Sequence, residues 1–440
     1  MKKFVLLLLS GAFALQSCQP KETDFEESLG DIDATAVIAI GGGYMAGELD
    51  GALTYEGQKN SLAAMISGQF ASNSFLQPLM DPSSVGIGFT GGSVLDLDYK
   101  TDCTGATSLS PVRVAATGDA TQLANMYAGP YANMGVLGMK STHLVATGYG
   151  NSAAGAGNYN PFFSRMAANE ASSSVIADAL ANNPTFFSFF VGMEDVFQYA
   201  QKGATGSLTP INGAAGVGFD GSISTALDQL TANGAKGVVG TIPDVTSMPY
   251  FTTIPWNGLN LDQADADLLN NIYNPIGISF QVGVNAFMIQ DPDAGAFGVR
   301  KMVEGELIVL GVPLDSVKCN QMGSAFPFRN EFVLTLEEIQ EIRDYTNSYN
   351  AILAEEASSH NLALADVHSF FAKIKAGFVW NGVSISSTFV SGGAYALDGY
   401  SLVPRTNALL ANEFIKAINT QYHSTIRLLN PSVYRGVIFP

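Results

Sequence analysis

The sequence predicts an α/β domain, a parallel sheet with helices packed against it and loop-rich insertions around it. Three observations predict this: apolar runs bounded by turn residues recur along the chain, segments of helical period lie between them, and residues 405–422 carry an apolar face at helical spacing. Runs that are apolar at nearly every residue belong to strands buried on both faces, as in a parallel sheet. Strand and helix in alternation then imply βαβ units with right-handed crossovers.

In chain order, the first strand is expected at AVIAIGG (36–42), followed by a helix over NSLAAMISGQF (60–70). A helix over SSVIADALANN (173–183) leads into a strand at PTFFSFFVG (184–192), and one over ISTALDQLTANG (223–234) into KGVVGTIPD (236–244). The long pattern LEEIQEIRDYTNSYNAILAEEASSH (336–360) precedes a strand at LALADV (362–367). The last helix sets Leu409, Leu410, Phe414 and Ile418 on one face, the face expected to pack on the sheet. Residues 71–130 and 245–335 break the alternation. Rich in Gly, Pro, Asn and Asp, with short pieces such as SFQVGVNAFMIQ and ELIVLGV, they read as insertions whose small antiparallel elements wall a site. No fixed-period repeat and no linker divides the chain, so 35–440 reads as a single domain. In such a sheet ligands bind beyond the carboxyl ends of the strands, and chemistry is expected just after each one.

The N-terminus reads differently. Lys2 and Lys3, the run FVLLLLSGAFAL and then Leu15, Gln16, Ser17 and Cys18 follow the order of a signal peptide over 1–17. The run is too short for a stable span, which takes about 20 residues. Leu-Gln-Ser-Cys resembles a bacterial lipobox, in which the cysteine becomes the acylated first residue; an ordinary secretory signal beside a chance cysteine is the alternative. Residues 18–34, polar and acidic, read as a solvated tether, either a plain linker or an export tag of the kind found on surface lipoproteins. The expected place is therefore the outer membrane, on its periplasmic or its surface side, with the bacterial membrane as partner through lipid on Cys18. The chain has 21 basic against 39 acidic side chains, a formal net charge of −18 that grows once Lys2 and Lys3 leave. Such a charge repels nucleic acid and anionic headgroups. Cys103 and Cys319, the other two cysteines, form one disulfide in an oxidising compartment or remain two buried thiols.

The first place to look for chemistry is VIAIGGGYMAGELDGALTYEGQKNS (37–61). Gly41, Gly43 and Gly47 suggest a dinucleotide turn, but that turn must open directly into a helix, and 48–59 reads as turns. No cofactor is expected. Four scattered histidines without paired spacing give no sign of a metal site with nitrogen or sulfur ligands.

From this point the chain resembles the SGNH/GDSL esterases and lipases, in particular a lipoprotein branch of them, over roughly residues 35–440. In that family the first strand ends in Gly-Asp-Ser-Leu or Gly-Asn-Ser-Leu, and on this motif Gly41 matches the glycine, Gly43 the nucleophilic serine and Tyr44 the leucine. YANMGVLGMKSTHL (131–144) resembles the second block and makes Gly138 the backbone donor of the oxyanion hole. The Gly-x-Asn-Asp block falls on Gly192 to Asp195, with Glu194 in place of the side-chain donor. In the Asp-x-x-His-Pro block Asp398 matches the aspartate and Ser401 stands where the histidine belongs. No histidine lies between His368 and His423, so no shift of register supplies one. The resemblance implies a flavodoxin-like three-layer α/β/α sandwich and a degenerate triad.

Loss of nucleophile or base alone costs on the order of 10⁶ in rate in well-studied triads. A carboxylate about 4 Å from the oxyanion adds roughly 4 kcal/mol of opposition at an effective dielectric of 20. The expectation is therefore a binding or accessory protein for an acyl-ester or acylated-glycan ligand. The alternatives are an ester hydrolase with replaced groups, drawing on Ser141, Ser401, His143 or His368, and a structural envelope lipoprotein. Glu48, Asp50, Glu194, Asp195 and Asp398 are expected around the old site, either as an acidic pocket for a cation or sugar hydroxyls or as solvated loop carboxylates. A protein partner cannot be read from the sequence.

Overall fold

A five-stranded parallel sheet forms the centre of the structure, a computed structural model that describes residues 26–70, 75–124 and 127–440. The signal segment 1–17 and Cys18 lie outside the described residues. The strands are β1 (Val37–Gly41), β2 (Asn133–Gly135), β3 (Phe186–Phe190), β4 (Lys236–Gly240) and β5 (Ala363–Ala365). They lie in the order β5-β4-β3-β1-β2, every pair parallel, with Ile40 level with Phe189 on one side and Met134 on the other. Four of them coincide with apolar runs in the sequence. β2, a three-residue edge strand, has no run long enough to announce it.

The helices are α1 (Leu62–Gly68), α2 (Met193–Gln201), α3 (Phe219–Thr231), α4 (Leu336–Ser359), α5 (Val367–Ala376) and α6 (Pro404–Tyr422). Their ends follow local chemistry: the Ser61 side chain accepts from Ala64 N–H, Thr335 and Glu338 form a capping box, and Pro404 opens α6. Alternation along β3 sends Phe186 and Phe190 to one face, against Phe70, Tyr422 and Phe414, and Phe187 and Phe189 to the other. Each fully buried ring contributes about 1.5–3 kcal/mol. α6 touches α1 and α5 on the first face, and α4 touches α2 and α3 on the second. α6 fits closely because β4 ends in glycine: a Cβ on Gly240 would stand 2.6 Å from the Phe414 ring.

The insertions are antiparallel. Leu95–Thr101 pairs with Thr107–Arg113 as a hairpin. The second insertion forms short pairs, 259–261 with 283–285, 288–290 with 299–301 and 307–308 with 333–334, around apolar clusters of its own that include Phe287, Phe328, Tyr273 and Phe280. Cys103 and Cys319 are disulfide-bonded and join the hairpin tip to the helix Leu314–Cys319. Two sequence expectations need correction. The stretch 48–59 contains a helix, Tyr55–Lys59, which Thr54 caps through Gly57 N–H. The last residues of the acidic segment are not solvated tether: Ile32 is buried and Asp31 N–H donates to the Tyr422 carbonyl at 3.0 Å.

Candidate functional site

β1 runs straight into a single helical turn, Gly43–Ala46, which Gly47 stops with a φ of 91°. The reversal lays Glu48 and Asp50 over the carboxyl end of the sheet. β3 passes through Gly192 directly into α2, so Glu194 stands in the first turn of that helix with its Oε1 3.4 Å from Gly43 N–H. The turn before α6 supplies Asp398. Its Oδ1 accepts from the Tyr400 and Ser401 amides at 2.9 and 2.8 Å, its Oδ2 from Gly51 N–H at 2.7 Å and the Ser401 hydroxyl at 2.5 Å.

These segments meet at a cavity of about 430 Å³. Glu48, Glu194, Asp398 and Gly138 line it, with Arg113 and Pro111 from the hairpin and Leu310 and Leu314 from the second insertion. The structure therefore brings Gly138, Glu194 and Asp398 to one cavity and sets Gly43 against its floor. Ser401 is buried behind Asp398 and does not reach the space. A Cβ on Gly43 would come within 2.6 Å of Glu48 Oε2 and 3.5 Å of Glu194 Oε1. The place of a serine side chain is thus held by the Glu48 carboxylate. The Phe89 ring packs on Gly138, and Gln198 Nε2 ties the Gly138 carbonyl to Glu194 Oε2 at 3.0 and 3.2 Å.

Burial raises the pKa of all three cavity carboxyls, and for Glu48 the Asp398 and Glu194 carboxylates add to it. Asp50 and Asp195 do not line the cavity. Asp50, pushed up to about 6 by burial, accepts from Leu397 N–H. Asp195 is fully buried, and Ser141, through its amide and hydroxyl, and Thr209 donate to it.

The substitute catalytic groups are engaged in structure. The Ser141 hydroxyl is committed to Asp195. His143 Nδ1 accepts from Lys140 N–H, its ring stacks on Tyr149, and burial holds it down at about 4, so the imidazole is neutral. His368 Nδ1 lies 3.0 Å from the Ile242 carbonyl. None of the three lines the cavity. Sequence reasoning missed Tyr400, whose hydroxyl donates to Glu48 Oε1 at 2.6 Å, although it lies between two residues it had singled out. It also missed Arg113 and Phe89, which the insertion delivers and no motif marks. Among the described residues no group of three His, Cys, Asp or Glu side chains has the arrangement of a metal site. No known protein family, curated protein or solved structure matches the chain.

Proposed function

We propose that the chain is a ligand-binding lipoprotein of the bacterial envelope, built on the SGNH-hydrolase plan without its catalysis and held at the outer membrane by lipid on Cys18. The observation that carries this reading is the Glu48 carboxylate, standing where the nucleophile's side chain would be, at the floor of a cavity with largely apolar walls. The strand order supports the plan: numbered along the chain it is 2-1-3-4-5, the flavodoxin-like order, whose ligands bind at the carboxyl ends where the winding reverses between β1 and β3. At the base position Ser401 donates to Asp398 and can take no proton at neutral pH. The cavity suits the acyl part of an acyl ester or an acylated glycan. At the roughly 30 Å³ that a water-sized group occupies in a liquid, its 430 Å³ admits a ligand of modest size.

The test is hydrolysis of p-nitrophenyl acetate and butyrate by the purified protein. Turnover no faster than buffer is expected. A clear rate abolished by Ser141→Ala, Ser401→Ala, His143→Ala or His368→Ala would establish a hydrolase with replaced groups and overturn this reading.

A further inference from the structure

The ionisable groups that line the cavity are mostly acidic. Glu48, Glu194 and Asp398 line it, and Arg113 is the single cation among the described residues that do. Arg113 Nη1 donates to the carbonyls of Ser93 and Gly51, and its charge also acts on Glu48, so one cation stands against three carboxyls. Both oxygens of Asp398 are satisfied by amides and a hydroxyl, and those of Glu194 by Gly43 and Gln198. Glu48 is different. Its Oε1 accepts from Tyr400, and among the described residues no hydrogen bond reaches Oε2.

Beside these carboxyls lies a packed group of aromatic rings: Phe197 is 4.7 Å from Tyr400 and 5.7 Å from Tyr250, centroid to centroid. All three line the cavity. Aromatic rings next to a carboxyl with a free oxygen attract a cation by both quadrupole and charge, the cation itself favouring the ionised carboxylate. A carboxylate or phosphate in the same place would face three carboxyl groups, Glu48, Glu194 and Asp398, and any of them that ionised would repel it. Aliphatic side chains, Leu95, Leu310 and Leu314, line the same cavity and suit a chain rather than a second charge.

We propose that the cavity takes an amphiphile with a cationic head, a primary or quaternary ammonium seated against Glu48 Oε2 with its hydrocarbon part along the insertion walls. The assignment rests on the binding-protein reading above and gives its ligand a charge: an amino lipid or an O-acylated sugar with a free amine fits, and a free fatty acid does not. A cation there also relieves the state of Glu48, which burial and the Asp398 and Glu194 carboxylates hold well above the ordinary carboxylate range.

Isothermal titration of the full-length protein with hexylamine, hexanol and hexanoate at pH 7.5 tests this, three probes alike in chain and different in head charge. Hexylamine should bind at least tenfold tighter than hexanol and at least a hundredfold tighter than hexanoate. Glu48→Gln should bring hexylamine to the affinity that hexanol shows for the same variant, and a far-UV circular dichroism spectrum matching the parent's shows that the variant is folded. Hexanoate binding as tightly as hexylamine, or a preference for the amine that survives Glu48→Gln, overturns the cationic assignment while the binding reading stands. Failure of all three probes to bind overturns both.

Discussion

Asp50 sits in a place that suits its neutral form. Burial raises its pKa from 3.8 to about 6, against the pull of Leu397 N–H and of Arg435, whose Nη2 lies 3.7 Å from Oδ2. Because the folded pKa is the higher one, this residue stabilises the fold fully below about 4, and that contribution is lost as pH rises through about 6. A shift of this size amounts to about 3 kcal/mol at pH 8. Asn keeps the oxygen that accepts from Leu397 and never ionises. Urea unfolding should therefore find Asp50→Asn more stable than the parent by about 1–3 kcal/mol at pH 8 and equal to it at pH 4. A variant weakened at pH 8 would mean that the Arg435 pair outweighs burial. Residues of this kind were only half legible in the sequence. That Glu48, Glu194 and Asp398 gather could be read from positions after strands. That Asp50 and Asp195 turn away could not, since it depends on which amide or hydroxyl each meets: Leu397 in one case, Ser141 and Thr209 in the other.

At the scale of elements, the strands and helices with strong period were legible and the walls of the site were not. Val37–Gly41, Phe186–Phe190 and Pro404–Tyr422 are set by local pattern, whereas the three residues of β2 gain their strand form from pairing with β1. The hairpin Leu95–Thr101/Thr107–Arg113 is mostly polar and exposed, so no core-facing stripe reveals its position. Its tip is fixed by the bond between Cys103 and Cys319 and by two ion pairs next to it, Asp102 with Lys318 at 2.7 Å and Lys100 with Asp315 at 3.5 Å. Exposed ion pairs of this sort contribute about 0–1 kcal/mol each, so the covalent link is the main restraint on the wall that carries Arg113 and Pro111. The central sheet does not depend on it. Cys103→Ser with Cys319→Ser should leave the far-UV circular dichroism unchanged and raise the rate of proteolytic cutting within 102–106 by about tenfold or more, as expected when a segment opens locally rather than globally. Equal cutting rates in parent and variant would show that the ion pairs suffice.

The whole molecule is acidic, and its charge decides what can hold it at a membrane. At −18 it is repelled by anionic headgroups, and no helix among the described residues is long and apolar enough to cross a bilayer. Attachment by lipid is the route in the proposed reading. The sequence points to Cys18 for this through four residues, Leu15 to Cys18, and the structure does not bear on it because that segment lies outside the described residues. From Ser28 onward the chain is already fastened to the body, Ser28 N–H donating to Thr425 Oγ1 at 2.9 Å. Any tether is therefore short, the nine residues between Cys18 and Ser28, which reach at most about 3.5 Å each when extended. A protein held so closely should sediment with membranes at any salt concentration, since lipid anchoring is not screened and headgroup attraction is. Cys18→Ser should move it to the soluble fraction. If the variant still sediments at low salt and is released by 1 M salt, the hold is electrostatic; if salt does not release it, an apolar contact elsewhere on the body anchors the chain and the lipid assignment falls.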